Sequence, residues 1–104
     1  MHSWEVVCVE IADDSEFNDC RAIDEIGYLA PTLRRKPASV IGAQIKQGHK
    51  NLHITVDGRE VQLQPAKDDD VHFYVRTLDE DSSDDPLLDQ QSCDKYELED
   101  RVGF

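Results

Sequence analysis

The sequence has few cysteines, few aromatic residues and no long hydrophobic run. No stretch of its 104 residues approaches the roughly 18–20 consecutive apolar residues of a membrane helix, so we expect no membrane-spanning segment. Residues 1–10 lack a basic start followed by an apolar run, so no signal peptide is predicted. Glycine-rich phosphate loops and nucleophile elbows are also missing. These absences favour a single domain in the cytoplasm, without a membrane partner.

The three cysteines, Cys8, Cys20 and Cys93, are odd in number, and none belongs to a Cys-x-x-Cys pair. Disulfide frameworks usually contain an even number of cysteines, and zinc sites built from neighbouring ligands usually contain Cys-x-x-Cys pairs. We therefore expect reduced structural thiols. A metal site would also need histidines, and those available are His49, His53 and His72. Their spacing is not that of metal ligands, so no metal and no cofactor are expected.

Basic residues are scarce, with 11 against 23 acidic residues and a net charge of −12. Residues 1–67 hold 10 acids and 8 bases, a net charge of −2, whereas residues 68–104 hold 13 acids and 3 bases, a net charge of −10. Such a field repels free DNA and RNA. It suits a salt-rich cytoplasm, a protein partner with a basic surface, or mimicry of nucleic acid.

Hydrophobic patterning predicts an α+β domain. Residues 4–12 are rich in β-branched side chains and indicate a first strand that is buried on both faces near its middle. Residues 20–29 indicate a second strand, in which Gly27 marks a bulge or a close backbone approach. Pro37 fits the first turn of a helix that ends before Gly48. The apolar stripe of this helix is predicted to contain Ala38, Val40, Ile41 and Ile45.

Two alternating segments around Asp57 and Gly58 predict a β-hairpin with a type I′ turn. Its register places Leu52, Ile54, Val56, Val61 and Leu63 on the core face, and His53, Thr55, Gln62 and Gln64 on the other. With a strand at residues 71–77, the expected fold is a mostly antiparallel sheet of about five strands with one helix packed on one face, in the order β-β-α-β-β-β. Residues 1–93 form the predicted domain, with an acidic loop at 79–86 and a docked pair, Leu87 and Leu88; residues 94–104 form a charged C-terminal tail.

Several short motifs in this order are shared with one protein family. They are a first strand with a central cysteine (Val7-Cys8-Val9), a helix ending at Gly48, a strand reading Tyr74-Val75-Arg76-Thr77, and an acidic spacer leading to Asp85-Pro86-Leu87-Leu88 and Cys93. In these motifs the chain resembles the small prokaryotic domain-of-unknown-function family three-eight-nine-two. Pro86 stands where that family usually has Asn before the paired leucines. The resemblance implies a compact fold without an established activity.

Two regions are candidates for binding a partner. The outward face of the later strands gathers polar side chains together with Tyr and Arg, which are enriched at binding hot spots; the alternative is a solvated face of a two-layer domain. The acidic loop adds a group of carboxylates. The predicted partner-binding residues are His53, Gln62, Gln64, His72, Tyr74, Arg76, Asp79, Glu80, Asp81, Asp84 and Asp85.

A basic segment, Arg34, Arg35 and Lys36, precedes the predicted helix. Free N–H groups and the positive end of the dipole attract anions at a helix N-terminus, so this segment is a candidate anion-binding site. Two alternatives remain open. The segment is a basic loop that offsets the acidic surface, or the acidic tail folds back onto it.

The sequence favours a non-enzymatic interaction module whose protein partner has a basic surface. The alternative is an acidic nucleic-acid mimic that inhibits a basic nucleic-acid-binding protein. A third hypothesis is a small enzyme whose catalytic residues assemble only in space. A convergent pocket around His53, His72, Tyr74 and Arg76 would favour ligand binding or catalysis.

Overall fold

The computed structural model describes residues 3–68 and 72–102, with only the backbone for 99–102. Within these ranges the elements in chain order are β1 (Trp4–Ile11), β2 (Ile23–Leu29), β3 (Leu33–Pro37), α1 (Ala38–Lys46), β4 (Leu52–Val56), β5 (Arg59–Gln62), β6 (Gln64–Lys67), β7 (Phe73–Arg76) and α2 (Cys93–Val102). Short 3₁₀ turns cover Cys20–Ala22 and Pro86–Asp89. The predicted α+β class is confirmed.

Five strands form one mixed sheet in the order β3-β2-β1-β4-β5. Neighbouring strands are antiparallel except β1 and β4, which run parallel and pair at Trp4–Leu52 and Glu5–His53. This confirms the mostly antiparallel sheet. A second, antiparallel sheet contains β6 and β7. The chain leaves the first sheet at Leu63, two residues before Pro65, which has no N–H for a strand ladder.

β1 contributes to both faces of the five-stranded sheet. Its register against β2 shifts between Val6 and Cys8, which reverses the alternation of side chains at Val7. Val6 and Val9 therefore both reach the main core, between the sheet and α1. Cys8 lies on the opposite face, where a Cβ on Gly27 would collide with its sulfur. The predicted burial of this strand on both faces is confirmed.

α1 starts after Pro37 and ends before Gly48, as predicted. Ala38, Ile41 and Gly42 form its buried face. Val40, which was expected on that face, is 42% exposed. A helix rotates by about 100° per residue, which places Val40 away from Ala38 and Gly42. Gly42 lies directly on β7, since a Cβ there would come within 2.8 Å of the Tyr74 carbonyl oxygen.

β4 and β5 form the predicted hairpin, with Val56 paired to Arg59. Asp57 and Gly58 both have positive φ, 51° and 80°, as a type I′ turn requires. Leu52 and Ile54 on the predicted core face are fully buried. The hairpin prediction is therefore confirmed in its turn and, for residues 52–62, in its register. Gln64, which was assigned to the outer face of the hairpin, belongs instead to β6 of the second sheet.

Replacement of Gly58 by Val should lower the free energy of unfolding by about 1–2 kcal/mol, because a β-branched residue resists positive φ. Urea denaturation measures the change. Gly58→Asn is the control, since Asn tolerates this conformation and should cost much less. Equal midpoints for the Val variant and the wild type would contradict the turn.

The sequence pattern does not predict three of the elements, and β6, which continues through Pro65, is one of them. Arg34, Arg35 and Lys36, expected in a loop, belong to β3, an edge strand whose exposed side chains need not be apolar. The segment expected as a charged tail contains α2, and only residues 103 and 104 of that segment lie outside the described chain. The predicted strand at 20–29 begins with a 3₁₀ turn and becomes β2 at Ile23. The predicted strand at 71–77 corresponds to β7, and Val71 is not among the described residues.

Cys8 and Cys93 are joined by a disulfide bond. The prediction of reduced thiols is therefore wrong for these two residues, while Cys20 is a free, buried thiol. The pair is 85 residues apart in the chain and meets because α2 packs over β1. Neither a Cys-x-x-Cys motif nor any other local spacing signals such a contact.

Leu87 is fully buried and Leu88 packs against the core, as predicted for the docked leucine pair. These two residues bring the end of the acidic loop back to the domain. In the part of the chain that the structure describes, no helix has the length and apolar character to cross a membrane.

Candidate functional site

The acidic loop after β7 is organised by the buried carboxylate of Asp85. This side chain is 1% exposed. It accepts hydrogen bonds from Thr77 N (2.9 Å), Thr77 Oγ1 (2.6 Å), Leu78 N (3.1 Å) and Leu87 N (2.9 Å). Burial raises the pKa of Asp85, but the bonds from Thr77, Leu87 and Leu78 outweigh it, so the pKa lies below its ordinary value. Asp85, predicted to bind a partner, instead closes its own loop and is not accessible.

Asp81, in the middle of this loop, is held by side chains of β7. Its Oδ1 accepts a hydrogen bond from the Tyr74 hydroxyl at 2.6 Å and from Arg76 Nη1 at 2.8 Å. Arg76 Nη2 also donates to the carbonyl oxygen of Asp79 at 3.1 Å. Burial and the Asp81 hydrogen bond raise the pKa of Tyr74 to about 12. Tyr74 and Arg76, expected to face a partner, therefore fix the acidic loop.

A second ion pair extends this network to the turn before β2. Asp19, 4% exposed, accepts from Arg21 Nη2 at 2.6 Å and from the Arg21 backbone N at 3.0 Å. These bonds hold the pKa of Asp19 below its ordinary value against the opposing effect of burial. Arg21 Nε lies 3.7 Å from Asp81 Oδ2, and the Arg21 guanidinium lies 4.1 Å from the centre of the Phe17 ring. The sequence pattern did not single out Asp19, Arg21 or Phe17.

The free thiol of Cys20 lies inside the same network. It is 1% exposed. Burial raises its pKa strongly, and the charge of Asp85 and a hydrogen bond to it act in the same direction. A thiol must lose its proton to act as a nucleophile or metal ligand. Cys20 is therefore a protonated hydrogen-bond donor within the core.

A cleft of about 160 Å³ opens beside this network at the N-terminal end of α1. Its aromatic lining is Phe17, Phe73 and Tyr74. Its charged and titratable lining is Arg21, Asp24, Asp68 and His72. Because Arg21 and Tyr74 both line the cleft and contact Asp81, the cleft and the acidic loop form one continuous structure.

The remaining predicted loop residues lie at its surface. Asp79 accepts from Gln64 Nε2 at 3.0 Å, so Gln64 also holds the loop. Glu80 and Asp84 are exposed. Their carboxylates extend from a segment whose backbone is fixed by Asp81 and Asp85. We call the cleft together with Glu80 and Asp84 the cleft–loop surface.

The predicted polar face of the later strands is divided between two sheets. His53 and Gln62 belong to the five-stranded sheet, whereas Gln64, Tyr74 and Arg76 belong to β6 and β7. His53 is only 8% exposed, and its Nδ1 lies 2.8 Å from Ser3 Oγ. The exposed His72 donates its backbone N–H to Asp68 Oδ1 at 3.1 Å, beside the cleft. The structure therefore does not form a pocket that brings His53 together with His72, Tyr74 and Arg76.

The predicted anion site is occupied by the protein's own carboxylates. Arg35 Nη2 lies 2.7 Å from Glu25 Oε1, and Arg35 Nη1 lies 3.0 Å from both Asp94 Oδ1 and Glu97 Oε1. Asp94 and Glu97 belong to α2, so the alternative in which the acidic C-terminal segment folds back is confirmed. Arg34 and Lys36 are exposed on the edge strand. The basic segment therefore helps to dock α2 and does not form an open site at the end of α1.

No group of three or more His, Cys, Asp and Glu side chains with metal-binding geometry occurs within the described ranges. Comparison of the chain with protein-family models, curated proteins and solved structures finds no match. The family resemblance noted in the sequence therefore stays a prediction.

Proposed function

We propose that the protein is a non-enzymatic interaction module that binds a basic segment of a protein partner at the cleft–loop surface. The observation that carries the proposal is the shared use of Tyr74 and Arg21. These two side chains line the cleft and also contact Asp81 of the acidic loop. A partner that meets the loop carboxylates is therefore guided to an adjoining cleft with aromatic walls.

The charge of the chain supports a basic partner. Residues 68–104, which contain the loop, carry a net charge of −10. A field of one sign raises the rate at which an oppositely charged partner associates and makes binding sensitive to salt. Asp19 and Asp85 are buried, and the exposed Asp79 and Asp81 are bonded to Gln64 and Arg76. The proposal therefore assigns partner binding to the exposed carboxylates of Glu80 and Asp84.

The aromatic wall supports recognition of a cationic side chain. Phe17 lines the cleft and is 41% exposed, so its ring is accessible to a partner. Its ring already lies against the guanidinium of Arg21. Cations are attracted to ring faces, most strongly when partly desolvated. An Arg or Lys side chain of the partner therefore finds both an aromatic surface and nearby carboxylates, including Asp24.

The network itself supports binding over catalysis. Cys20 is held as a thiol, and Asp85, Asp81 and Asp19 are engaged in bonds that maintain the fold. Groups held in this way provide a rigid support for exposed charges. Rigid, preformed surfaces lose less conformational entropy when a partner binds.

A short oligo-arginine peptide, labelled for fluorescence anisotropy, tests the proposal at low ionic strength. The double variant Glu80→Gln/Asp84→Asn should weaken binding about three- to tenfold, as expected for two exposed charge contacts of up to about 0.7 kcal/mol each. Phe17→Ala should weaken it by a similar factor. The control Asp57→Asn/Glu60→Gln removes the same charge from the β4–β5 hairpin and should change the Kd less than about twofold.

A citrulline peptide of the same length controls for charge and should not bind measurably. Equal weakening by the loop variant and the hairpin variant would mean unspecific attraction to an acidic protein, and would contradict the proposed surface. Oligo-arginine binding that is unchanged in both the loop variant and the hairpin variant would also contradict the proposed surface.

The cytoplasm is the compartment we propose for this function. A single cystine beside an unpaired, buried Cys20 differs from the dense disulfide frameworks of small secreted domains. Low-molecular-weight thiols in the cytoplasm can reduce a disulfide. The redox state of the Cys8–Cys93 pair there depends on its surroundings. Disulfides that form in that compartment are usually transient or redox-sensing.

A further inference from the structure

The Cys8–Cys93 cystine joins the middle of β1 to the first residue of α2. Both cysteines are fully buried. Gly27 of β2 faces the two sulfurs, and a Cβ at this position would collide with the sulfur of Cys8 and lie 2.8 Å from that of Cys93. The sheet therefore has a space fitted to this bond. The bond is the covalent attachment of α2 to the sheet.

Within residues 93–98, the part of α2 whose side chains the structure describes, the other links to the sheet include polar contacts at its edge, and Tyr96 and Glu97 are half-buried. Asp94 N donates to Glu10 Oε1 at 2.9 Å, and Arg35 holds the carboxylates of Asp94 and Glu97. The Asp94 side chain is 80% exposed, so salt screens its ion pair. Leu98 is 63% exposed and adds little apolar burial. Among residues 93–98 of the helix, Cys93 alone is fully buried.

We propose that Cys8 and Cys93 form a reversible thiol–disulfide switch that controls whether α2 is docked on the sheet. In the oxidised state the cystine holds the N-terminal end of α2 over β1. In the reduced state the ion pairs of Arg35, the Glu10 contact and the main-chain bond from Val9 N to Gln91 O just before the helix remain. These links alone do not hold the helix, and α2 dissociates from the sheet beyond Gln91. The inference concerns a different site from the cleft–loop surface, although it shares the cytoplasmic location proposed above.

The reaction uses a low-molecular-weight thiol as reductant. Its thiolate attacks Cys93 Sγ, the sulfur at the start of the helix, while α2 is transiently displaced. The bond between the two cysteine sulfurs breaks, a mixed disulfide forms on Cys93, and Cys8 leaves as a thiolate that takes up a proton. A second thiol attacks the mixed disulfide and releases Cys93, which is also protonated. The two small thiols supply the two electrons and become their own disulfide.

Release of α2 changes the surface that the protein presents. Glu25, Gly27 and Leu33 on the covered face become accessible, and Arg35 loses two of its three carboxylate partners. The basic edge strand β3 then carries less compensated positive charge. The switch therefore exchanges an acidic helix for a partly basic strand on one face of the sheet.

Hydrogen–deuterium exchange of α2, read by mass spectrometry before and after incubation with reduced glutathione, tests the switch. The protein used is Cys20→Ser, which keeps a hydrogen-bond donor for Asp85 and leaves only the switch cysteines. Reduction should raise the exchange rate of amides in 95–102 about tenfold or more and leave the buried β4 amides protected. Alkylation should count no reactive thiol in the unfolded oxidised protein and two after glutathione treatment.

The double variant Cys8→Ser/Cys93→Ser in the same background should show fast α2 exchange with or without glutathione. Unchanged α2 exchange after confirmed reduction would overturn the proposal, because the helix would then dock without the bond. Failure of glutathione to reduce the cystine would also overturn it. Loss of protection in β4 together with α2 would show a structural cross-link whose reduction unfolds the domain, and would equally reject a switch. Oligo-arginine binding by the oxidised protein reports separately on the proposed function.

Discussion

Removal of the cystine by Cys8→Ala/Cys93→Ala should lower the free energy of unfolding by about 4–5 kcal/mol. The bond spans 85 residues. A cross-link of that span restricts the unfolded chain, and the loop-closure model gives a stabilisation of about 4–5 kcal/mol for it. The loss of two buried sulfurs adds a smaller packing cost. Urea denaturation of the oxidised wild type and of the variant measures the difference directly.

A double-mutant cycle with Gly27 is the matched control for this result. Gly27→Ala introduces a methyl group where the two sulfurs lie, so it should cost about 1–3 kcal/mol in the oxidised protein. In the Cys8→Ala/Cys93→Ala background the sulfurs are gone and the same methyl group has room. The two changes should therefore be strongly non-additive. Additive costs would show that Gly27 does not face the cystine.

Asp85→Asn should lower the free energy of unfolding by about 3 kcal/mol, although the substitution preserves shape. In the wild type the N–H groups of Thr77 and Leu78 both donate to Oδ2 of Asp85. An amide in place of the carboxylate sets an NH₂ group against these two donors. Buried donors that lose their acceptor cost about 1–3 kcal/mol each. The neighbouring Asp84→Asn removes an equal charge at an exposed position and should change stability by no more than about 0.5 kcal/mol. Equal effects at the two positions would refute the loop-closing role of Asp85.

The free energy of unfolding of the wild type should also depend on pH through the Asp85 carboxylate. The folded pKa of Asp85 is lowered from its ordinary value of 3.8, so its contribution to stability is complete above that value. It is lost as the pH falls from there through the lower folded pKa. Asp85→Asn lacks this contribution, so its stability should fall less steeply on acidification. Parallel acid-denaturation curves would count against the Asp85 network.

Local patterns in the sequence predict the elements that are stabilised by their own neighbours. The hairpin follows from alternation around Asp57-Gly58, and α1 follows from Pro37 and Gly48. These features are encoded within a few residues. For the same reason the position of Leu87 was predictable, since an isolated apolar pair in a polar segment has to find cover.

Local patterns did not predict the elements that depend on contacts with residues distant in the sequence. β3 carries charges that suit a loop, yet it pairs with β2 and its Arg35 meets carboxylates of α2. Alternation assigns Tyr74 and Arg76 to a polar face, but it does not reveal that the chain's own acidic loop covers that face. One local signal was present for Asp85, because Asp followed by Pro is typical of the start of a helical turn.

The structure distinguishes some of the functional hypotheses but not all of them. Salt-rich surroundings, nucleic-acid mimicry and a basic protein partner all draw on the same net charge of −12. The connection between the loop and an aromatic cleft favours the basic partner, since a charged surface alone needs no cleft. Nucleic-acid mimicry and halophilic adaptation stay predictions of the sequence.

The contact between Gly42 and the backbone of β7 has a consequence for how the cleft responds to a ligand. With no side chain between them, the helix and the strand cannot slide or part without losing close main-chain packing. Ala38 and Ser39 on one wall and Phe73 and Tyr74 on the other thus belong to one stiff frame. For the partner proposed above, we expect such a frame to select by size, admitting a single long side chain and excluding a bulkier group.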